Sequence, residues 1–132
     1  MNRQAVHTDH APAALGPYSQ AIVAGGFVFV SGTVGIDPVT GVVADGIEAQ
    51  TERALRNVAA TLEAAGSSMD HLVKTTIFYA DVADFAALNA VYARHMPTPP
   101  PARSAPANVV LPRGLLVSIE ALALVPVAPE EA

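Results

Sequence analysis

Residues able to do chemistry stand at three places in the chain, each beside a turn or at the end of an apolar segment. Gly16-Pro17-Tyr18-Ser19-Gln20 is a rigid turn that carries a phenol, a hydroxyl and an amide. Ser31-Gly32 follows the apolar segment Phe27–Val30, and Pro101-Ala102-Arg103-Ser104 places an arginine after a run of prolines. A guanidinium presents a planar fork of donors that matches a carboxylate, and a stiff approach lowers the entropy lost on binding. These residues suggest a site for a small molecule that bears a carboxylate.

Each of these residues also has a simpler explanation. Arg103 can form an ordinary surface ion pair, and we prefer that explanation on these residues alone. Tyr18 can serve packing in the core or at an interface. Ser31 can satisfy a backbone group at the end of a strand.

Other kinds of site lack their residue patterns. The chain has no cysteine, which excludes disulfides, thiol nucleophiles and thiolate metal ligands. Its four histidines form no i, i+4 pair and have no carboxylate at metal-ligand spacing, so we expect no metal site. Gly25-Gly26 fits no phosphate-binding or dinucleotide-binding loop, and Ser31-Gly32 lacks the strand–turn–helix context of a nucleophile elbow.

Length and composition describe one weakly charged, acidic domain. Hydrophobic residues make up 52% of the 132 residues and charged residues only 14%, against about 25% charged in an average soluble domain. Seven basic and 12 acidic residues leave a net charge of −5, and the bases are scattered, so nucleic-acid binding is not expected. So little charge suggests that part of the surface is buried against copies of the chain, although an alanine-rich composition explains it equally well.

The first third of the chain shows no targeting or membrane-spanning segment. Asp9 and His10 lie where a signal peptide would have its apolar core, so we expect a cytoplasmic protein. The uncharged run Ala11–Ile36 is long enough to span a membrane, but Pro17 and Gly25-Gly26 interrupt it, so it is not interpreted as a transmembrane helix.

Hydrophobic periodicity and turn residues predict the order β-β-α-β-α-β-β in one domain, residues 1–132, with an ordered core at about residues 11–126. Both tails, Met1–Ala11 and Pro126–Ala132, are expected to be loosely held. Strands joined across helices imply a mixed sheet with both helices on one face, and a second subunit would cover the other face. The predicted elements are strands at 21–23, 27–30, 73–80, 104–110 and 117–125, a helix after Asp45 that ends before Gly66, and a helix at 82–95 capped by Asp81.

Several short motifs together resemble the Rid/YjgF family of reactive-intermediate (enamine/imine) deaminases, some of which carry the label endoribonuclease L-PSP. The resemblance runs from about residue 10 to residue 125, and its strength lies in the order of the motifs rather than in any one of them. The matching segments are Gly16–Ala21, Ser31-Gly32, Asp37-Pro38 with Gly41, Gln50-Thr51, Asn57, Ala64–Gly66, Asn89 with Tyr92, Pro101–Ser104 and Leu111-Pro112.

The resemblance implies an α+β, chorismate-mutase-like (YjgF) fold, assembled as a homotrimer with ligand clefts between subunits. It also implies a cofactor-independent hydrolase of the 2-iminobutanoate/2-iminopropanoate deaminase type. An enamine such as 2-aminoacrylate tautomerises to an imine, which water converts to a 2-keto acid and ammonium. Arg103 would hold the substrate carboxylate, while Tyr18, Ser31, Gly32 and the backbone near Ala105 would line the same cleft.

The chain departs from the family at a position credited with positioning or activating the hydrolytic water. Where the family typically reads Val-Glu-Ile-Glu-Ala, this chain reads Val117-Ser118-Ile119-Glu120-Ala121, so Ser118 replaces the first glutamate. A serine hydroxyl can orient a water but is no useful base near neutral pH. Glu120, about 6.6 Å further along the same strand face, either acts through another water or is an interface carboxylate, which we prefer. The catalytic candidates are Arg103, Ser118 and Glu120.

Three functional hypotheses remain from the sequence. The first is the deaminase. The second, favoured by Ser118, is a trimer that binds a small carboxylate or 2-keto acid without deaminating it, as a sensor or carrier. The third, RNA cleavage, comes only from the older family label, and the acidic net charge argues against it.

Overall fold

The computed structural model describes residues 2–127, so residues 128–132 of the expected C-terminal tail lie outside the described part of the chain. Three short 3₁₀ turns connect the main elements, at Met69–His71, Val82–Asp84 and Pro112–Gly114. The strands and helices, in chain order, are β1 (Gln4–Val6), β2 (Ala21–Ala24), β3 (Phe27–Val34), α1 (Gly46–Ala64), β4 (Leu72–Tyr79), α2 (Phe85–His95), β5 (Ala102–Ser104) and β6 (Val117–Leu124).

All six strands form one mixed sheet in the order β1-β2-β3-β6-β4-β5. Only the pair β4–β5 is parallel, and the other neighbours are antiparallel. The β2–β3 hairpin turns at Gly25-Gly26, whose φ angles of 60° and 82° suit a two-residue turn that requires left-handed backbone at both positions. The mixed α+β sheet predicted from the sequence is therefore confirmed.

The two helices cover one face of the sheet and leave the other open. Along β6, the alternate residues Val117 and Ile119 are fully buried, as is Leu55 of α1. The opposite face of the sheet carries Phe29 and Leu124, which are 48% and 45% exposed. Since side chains alternate along a strand, the open face presents a continuous set of partly apolar residues to solvent in a single chain.

Helix α1 begins and ends where the sequence predicts, but its N-terminal cap differs from the expected one. Gly66 has φ 82°, and its N–H donates to the Glu63 carbonyl at 3.0 Å, while the Ser67 N–H donates to the Leu62 carbonyl at 2.8 Å. These two bonds form a Schellman motif, which closes the helix with a left-handed glycine. Asp45 and Glu48 have the spacing of a capping box. Asp45 occupies the N-cap position, but its side chain makes no capping hydrogen bond, so this box is not formed.

The second helix is shorter than predicted because its first turn is 3₁₀. The Asp81 side chain accepts a hydrogen bond from the Ala83 N–H at 2.9 Å and caps the turn Val82–Asp84, as a cap at this position was expected to do. The α-helix then begins at Phe85, and Tyr92 is buried on its inner face.

The prediction of a loose N-terminal segment is wrong. Residues Gln4–Val6 pair with β2 at the edge of the sheet. Gln20 holds the following residues, because its side chain accepts from the Thr8 N–H at 2.8 Å and donates to the carbonyls of Thr8 at 3.0 Å and Pro12 at 2.9 Å. The ordered chain thus begins before residue 11, and one buried amide fixes the segment that leads to the Tyr18 turn.

The strand predicted at residues 104–110 is also wrong in its bounds. The observed strand β5 covers only Ala102–Ser104 and pairs in parallel with β4. Pro106 has no N–H to donate to a ladder, and Asn108 has φ 62°, which no strand accommodates. Residues 105–110 therefore form an irregular connection to β6.

Candidate functional site

A β-bulge at Ser31-Gly32 marks the site. Between Val30 and Thr33, β3 advances three residues while β6 advances two, so β3 carries one extra residue here. Such bulges redirect side chains and are frequent beside functional sites. The Ser31 hydroxyl donates to the Ser19 carbonyl at 2.6 Å, which joins the bulge to the turn that carries Tyr18.

Ser118 lies directly over Gly32. A Cβ atom added to Gly32 would stand 2.8 Å from the Ser118 Oγ, closer than real Cβ contacts allow. The glycine therefore leaves the space that the serine hydroxyl occupies. Because Val117 and Ile119 on either side are buried beneath the helices, Ser118 points to the opposite side of the sheet.

A cleft of about 570 Å³ opens at this bulge. Four of the residues singled out in the sequence line it, namely Tyr18, Ser31, Gly32 and Ser118. Much of the remaining wall is apolar, with Leu111 among its residues. A few polar groups in a mostly apolar concavity is the usual composition of a small-molecule site.

Tyr18 stands at the exposed side of this cleft rather than in the core. Its ring lies 3.5 Å from the position of a Cβ on Gly16, and its hydroxyl accepts a hydrogen bond from the Leu15 N–H at 3.4 Å. The residue remains 54% exposed. Tyr18 therefore does not pack in the core, which was one of the alternatives for this residue.

The cleft wall also contains two charged residues that the sequence did not indicate as site residues. The segment Asp37–Gly41, one of the motifs of the family resemblance, forms a turn that places the Asp37 carboxylate on the wall. The backbone N–H groups of Thr40 and then Val39, which donate at 3.0 and 2.8 Å, lower the pKa of Asp37. Arg113 lines the wall as well. Its only signal in the sequence is a basic residue directly after Leu111-Pro112.

Arg103 lies away from this cleft. It belongs to β5, three strand positions from β3 in the sheet, or about 14 Å at the usual spacing of neighbouring strands. Its ladder partner is Thr75, which is buried on the helical side of the sheet. Arg103 therefore points toward α2, on the opposite side of the sheet from Ser118.

The surroundings of Arg103 differ from the ion pair that we preferred from its residues alone. The Arg103 Nη1 donates to the Asn89 Oδ1 at 2.7 Å. The guanidinium carbon lies 5.0 Å from the ring centre of Tyr92 and 5.6 Å from that of Phe85, distances at which cation–π attraction operates. The contacts of the arginine are thus an amide and two aromatic rings, and none of these groups carries a negative charge that would neutralise the guanidinium.

The other two predicted site residues also lie outside the cleft. Glu120 is exposed on the open face of the sheet, opposite Thr76 in the ladder, in a shallow depression that Phe29 and Lys74 share. Ala105 directly follows β5 and packs against the edge of the core. Within one chain, neither residue meets Ser118.

Two further features of the described residues bear on function. Between residues 2 and 127, no group of three or more histidine, aspartate or glutamate side chains is arranged to hold a metal ion. Over the same range, neither helix has the length and hydropathy needed to cross a membrane.

The fold and the cleft define a small α+β domain with one open sheet face and a ligand-sized cavity at a strand bulge. The chain belongs to the Rid/YjgF family, because residues 8–125 match the family model described as Endoribonuclease L-PSP. The family resemblance inferred from the sequence is confirmed.

Several proteins with functional names are similar along most of this chain. Reactive Intermediate Deaminase A, chloroplastic, of Arabidopsis thaliana is 46% identical over 93% of this chain and 66% of its own length. A mouse protein named 2-iminobutanoate/2-iminopropanoate deaminase is 42% identical over 92% of this chain and 91% of its own. Among solved structures, E. coli TdcF with bound serine superposes with a TM-score of 0.87 at 37% identity, covering 92% of this chain and 98% of that one.

Proposed function

We propose that this protein is a cytoplasmic, cofactor-independent deaminase that hydrolyses carboxylate-bearing enamines and imines, such as 2-aminoacrylate, to 2-keto acids and ammonium. The observation that carries the proposal is the meeting of Tyr18, Ser31, Gly32 and Ser118 in one cleft. The names of the plant and mouse relatives support the reaction class, and the serine bound by E. coli TdcF supports a ligand with a carboxylate.

In this reaction, water adds to the carbon of the C=N bond, and the resulting carbinolamine expels ammonia to leave the carbonyl. The hydroxyls of Ser31 and Ser118 can orient the attacking water, and the apolar wall limits competing solvent. Orientation and fixed dipoles supply several kcal/mol to reactions of this kind, roughly what an unstable imine needs. A strong general base is therefore not essential to the proposal.

The proposed assembly is a homotrimer with the site at the boundary between copies. Arg103 lies two strand positions from Ser118 and three from the Ser31-Gly32 bulge, about 10–14 Å at the usual strand spacing, and on the opposite side of the sheet, so one chain cannot place both Arg103 and the cleft on one small ligand. Arg103 of a second copy would complete the cleft. The open sheet face supports this arrangement, because Phe29 and Leu124 are half exposed in the single chain.

The role proposed for Arg103 is to bind the substrate carboxylate. The Asn89 contact involves only Nη1, which leaves Nε and Nη2 as an adjacent pair of donors. A lysine at this position is expected to bind more weakly, because an ammonium lacks the two-pronged geometry.

The experiment that tests this function measures keto-acid release from 2-aminoacrylate generated in solution. Wild type is expected to accelerate release, and Arg103→Ala to lose about 10²-fold or more in kcat/KM, the usual scale for a lost charged substrate contact. Arg103→Lys should fall between the two. The control is Arg94→Ala, which removes an exposed arginine from the last turn of α2. A wild-type protein without any acceleration, or an unaffected Arg103→Ala, contradicts the proposal.

A second candidate is a trimer that binds 2-keto acids or related carboxylates without deaminating them. The specific observation in its favour concerns Asp37, the only carboxylate among the described residues of the cleft wall. Hydrogen bonds from the Thr40 and Val39 backbone lower its pKa and so make it a poorer base. Calorimetric binding of 2-oxobutanoate by a wild type that gives no keto-acid release would select this candidate.

A further inference from the structure

One face of α2 contacts the Arg103 guanidinium. Phe85, Asn89 and Tyr92 follow one another at i, i+4 and i+7, so they form a single stripe along the helix. All three contact the Arg103 guanidinium, the outer two with their rings and Asn89 with its amide oxygen. Arg103 itself lies in an exposed three-residue edge strand, where such a long side chain would otherwise sample many rotamers.

We propose that Asn89 and Tyr92 are positioning residues, which hold the Arg103 guanidinium so that its Nε and Nη2 donors face the ligand carboxylate. This inference rests on the proposed function in one respect, namely that Arg103 binds the carboxylate. The inference adds the residues that orient the arginine without pairing a negative charge with it.

Asn89 selects the edge of the guanidinium that remains free. Its Oδ1 accepts from Nη1 at 2.7 Å, and the donors left over, Nε and Nη2, are neighbours on the opposite edge. This edge matches the two oxygens of a carboxylate. A neutral amide fixes the arginine without neutralising it, whereas a carboxylate at position 89 would compete with the ligand.

Tyr92 fixes the plane of the guanidinium and is itself fixed by the sheet. Its buried hydroxyl shares a 2.6 Å hydrogen bond with Thr75 Oγ1, and Thr75 is the ladder partner of Arg103. The ring is thus tied to the strand beside β5 and stands 5.0 Å from the guanidinium carbon. Phe85 packs against Tyr79, at 5.9 Å between ring centres, and flanks the same group. Arg103 is therefore oriented before a ligand arrives, which lowers the entropy lost on binding.

The test measures the Kd for 2-oxobutanoate by calorimetry and, separately, the KM and kcat of hydrolysis, all on the full assembled chain. Asn89→Ala is expected to weaken binding about 3- to 10-fold, less than the loss of a direct hydrogen bond to a charged group, because Asn89 acts on the ligand only through Arg103. Asn89→Asp should weaken it further, because the new carboxylate pairs with Arg103. The matched control is Ala90→Asp, which adds the same charge at the neighbouring exposed position of α2. Its Kd should equal that of wild type.

A double-mutant cycle separates positioning from general damage to the fold. If Asn89 acts through Arg103, then Asn89→Ala makes no further difference once Arg103→Ala is present. Tyr92→Phe keeps the ring but loses the Thr75 bond, so it should raise KM and leave kcat nearly unchanged.

The outcomes distinguish this inference from the proposed function. If Arg103→Ala weakens binding and Asn89→Ala does not, the positioning inference is wrong and the proposed function stands. An equal effect of Asn89→Ala with and without Arg103 also overturns the inference. If wild type binds 2-oxobutanoate no better than Arg103→Ala, both are wrong. If wild type shows no hydrolysis, the Kd values for 2-oxobutanoate still test the roles of Asn89 and Arg103, since binding requires no hydrolysis.

Discussion

At the bulge itself, the polar side chains of the cleft are the hydroxyls of Ser31 and Ser118. Ser118 lies over Gly32, close enough that any side chain on the glycine would displace it. The Ser31 hydroxyl is occupied by the Ser19 carbonyl at 2.6 Å, and so can accept from a water but has already donated its proton. Of these two serines, Ser118 is therefore the better able to direct a water in the cleft.

The residue-scale prediction concerns Ser118→Glu. Replacing the hydroxyl by a carboxylate supplies a general base, which typically contributes about 10²–10⁴-fold to a rate. The variant should raise kcat by about 10²-fold and gain a pH-rate limb that rises through the glutamate pKa. Stopped-flow keto-acid release across the acidic pH range measures both.

The matched control for this change is Ser118→Gln, which has nearly the same size but no basic group. If the glutamine variant gains as much as the glutamate variant, the effect comes from shape rather than proton transfer. If neither gains, proton removal at this position does not limit the reaction.

At the scale of elements, two glycines around the bulge have different neighbours. Gly32 faces the end of one side chain, the Ser118 Oγ. Gly35 faces backbone, because a Cβ there would lie 2.5 Å from the Gln50 carbonyl oxygen and 2.7 Å from the Gln50 Cα of α1. The close approach of α1 to the end of β3 thus depends on Gly35, while Gly32 governs only the cleft.

Because the neighbours differ, replacing each glycine by alanine should affect a different property: the stability of the fold at Gly35 and ligand binding at Gly32. Gly35→Ala should lower the free energy of unfolding by about 1–3 kcal/mol or more, because neither the strand end nor the helix backbone can move away freely. Gly32→Ala should cost little stability, because the serine can rotate, but should impair ligand binding by displacing its hydroxyl. Urea unfolding and 2-oxobutanoate binding measure the two effects. Equal stability losses in both variants would contradict this assignment.

The regular elements could be predicted from local pattern, while the contacts that join them could not. The helix that ends at Gly66 and the Gly25-Gly26 hairpin follow from periodicity and turn chemistry. Strand β1 escaped prediction because its three residues are held by their pairing with β2, and the segment that follows it is held by Gln20, an amide 12 residues away from Thr8. A short strand that depends on pairing with a distant segment leaves no local signal.

The candidate site shows the same limit. Tyr18, Ser31 and Gly32 line one cleft together with Ser118, whereas Arg103 and Ala105, which the family resemblance places in the same cleft, lie outside it in the single chain. The environment of Arg103 could not be predicted, because it depends on the register of β5 against β4 and on which face of α2 meets it. Both are long-range features, set by packing rather than by neighbours in the chain.

A pH-sensitive contact joins the two helices. The Glu52 carboxylate of α1 is hydrogen-bonded to the His95 ring at the end of α2. This hydrogen bond, followed by the positive charges of His95 and Arg56, lowers the pKa of Glu52 below its ordinary value of 4.5. The folded protein therefore releases this proton more readily than the unfolded chain. Its stabilising effect is complete above the ordinary value and is lost as the pH falls through the lowered pKa.

The corresponding prediction is that Glu52→Gln destabilises the protein near neutral pH and that the difference disappears in acid. Urea midpoints of wild type and variant should differ at about pH 7 and converge progressively as the pH falls below 4.5 and through the lowered pKa of Glu52. The control is Glu63→Gln, an exposed carboxylate on the same helix. A Glu52→Gln deficit that persists unchanged in acid would mean that packing, not ionisation, is responsible.

At the scale of the whole molecule, the open sheet face and the low charge point to the same conclusion. Only 14% of residues are charged, and Phe29 and Leu124 stay half exposed in the single chain. Ile22 and Leu122 are the ladder partners of Phe29, so they share its face and extend the apolar surface around it. Covering this face with other copies would bury apolar surface that the helices cannot reach.

The proposed trimer predicts that Phe29→Asp yields folded monomers. Each copy would lose the burial of a large aromatic side chain, worth about 1.5–3 kcal/mol, and would have to bury a carboxylate instead. Size-exclusion chromatography with light scattering gives the mass, and circular dichroism checks the fold. The control is Val110→Asp, which places the same charge at a residue 96% exposed in the connection before β6. Because Arg103 and the cleft are separated within one chain, monomers should also lose keto-acid release. A wild type that is monomeric, or a Phe29→Asp variant that stays trimeric and active, would show that the open face is not the interface.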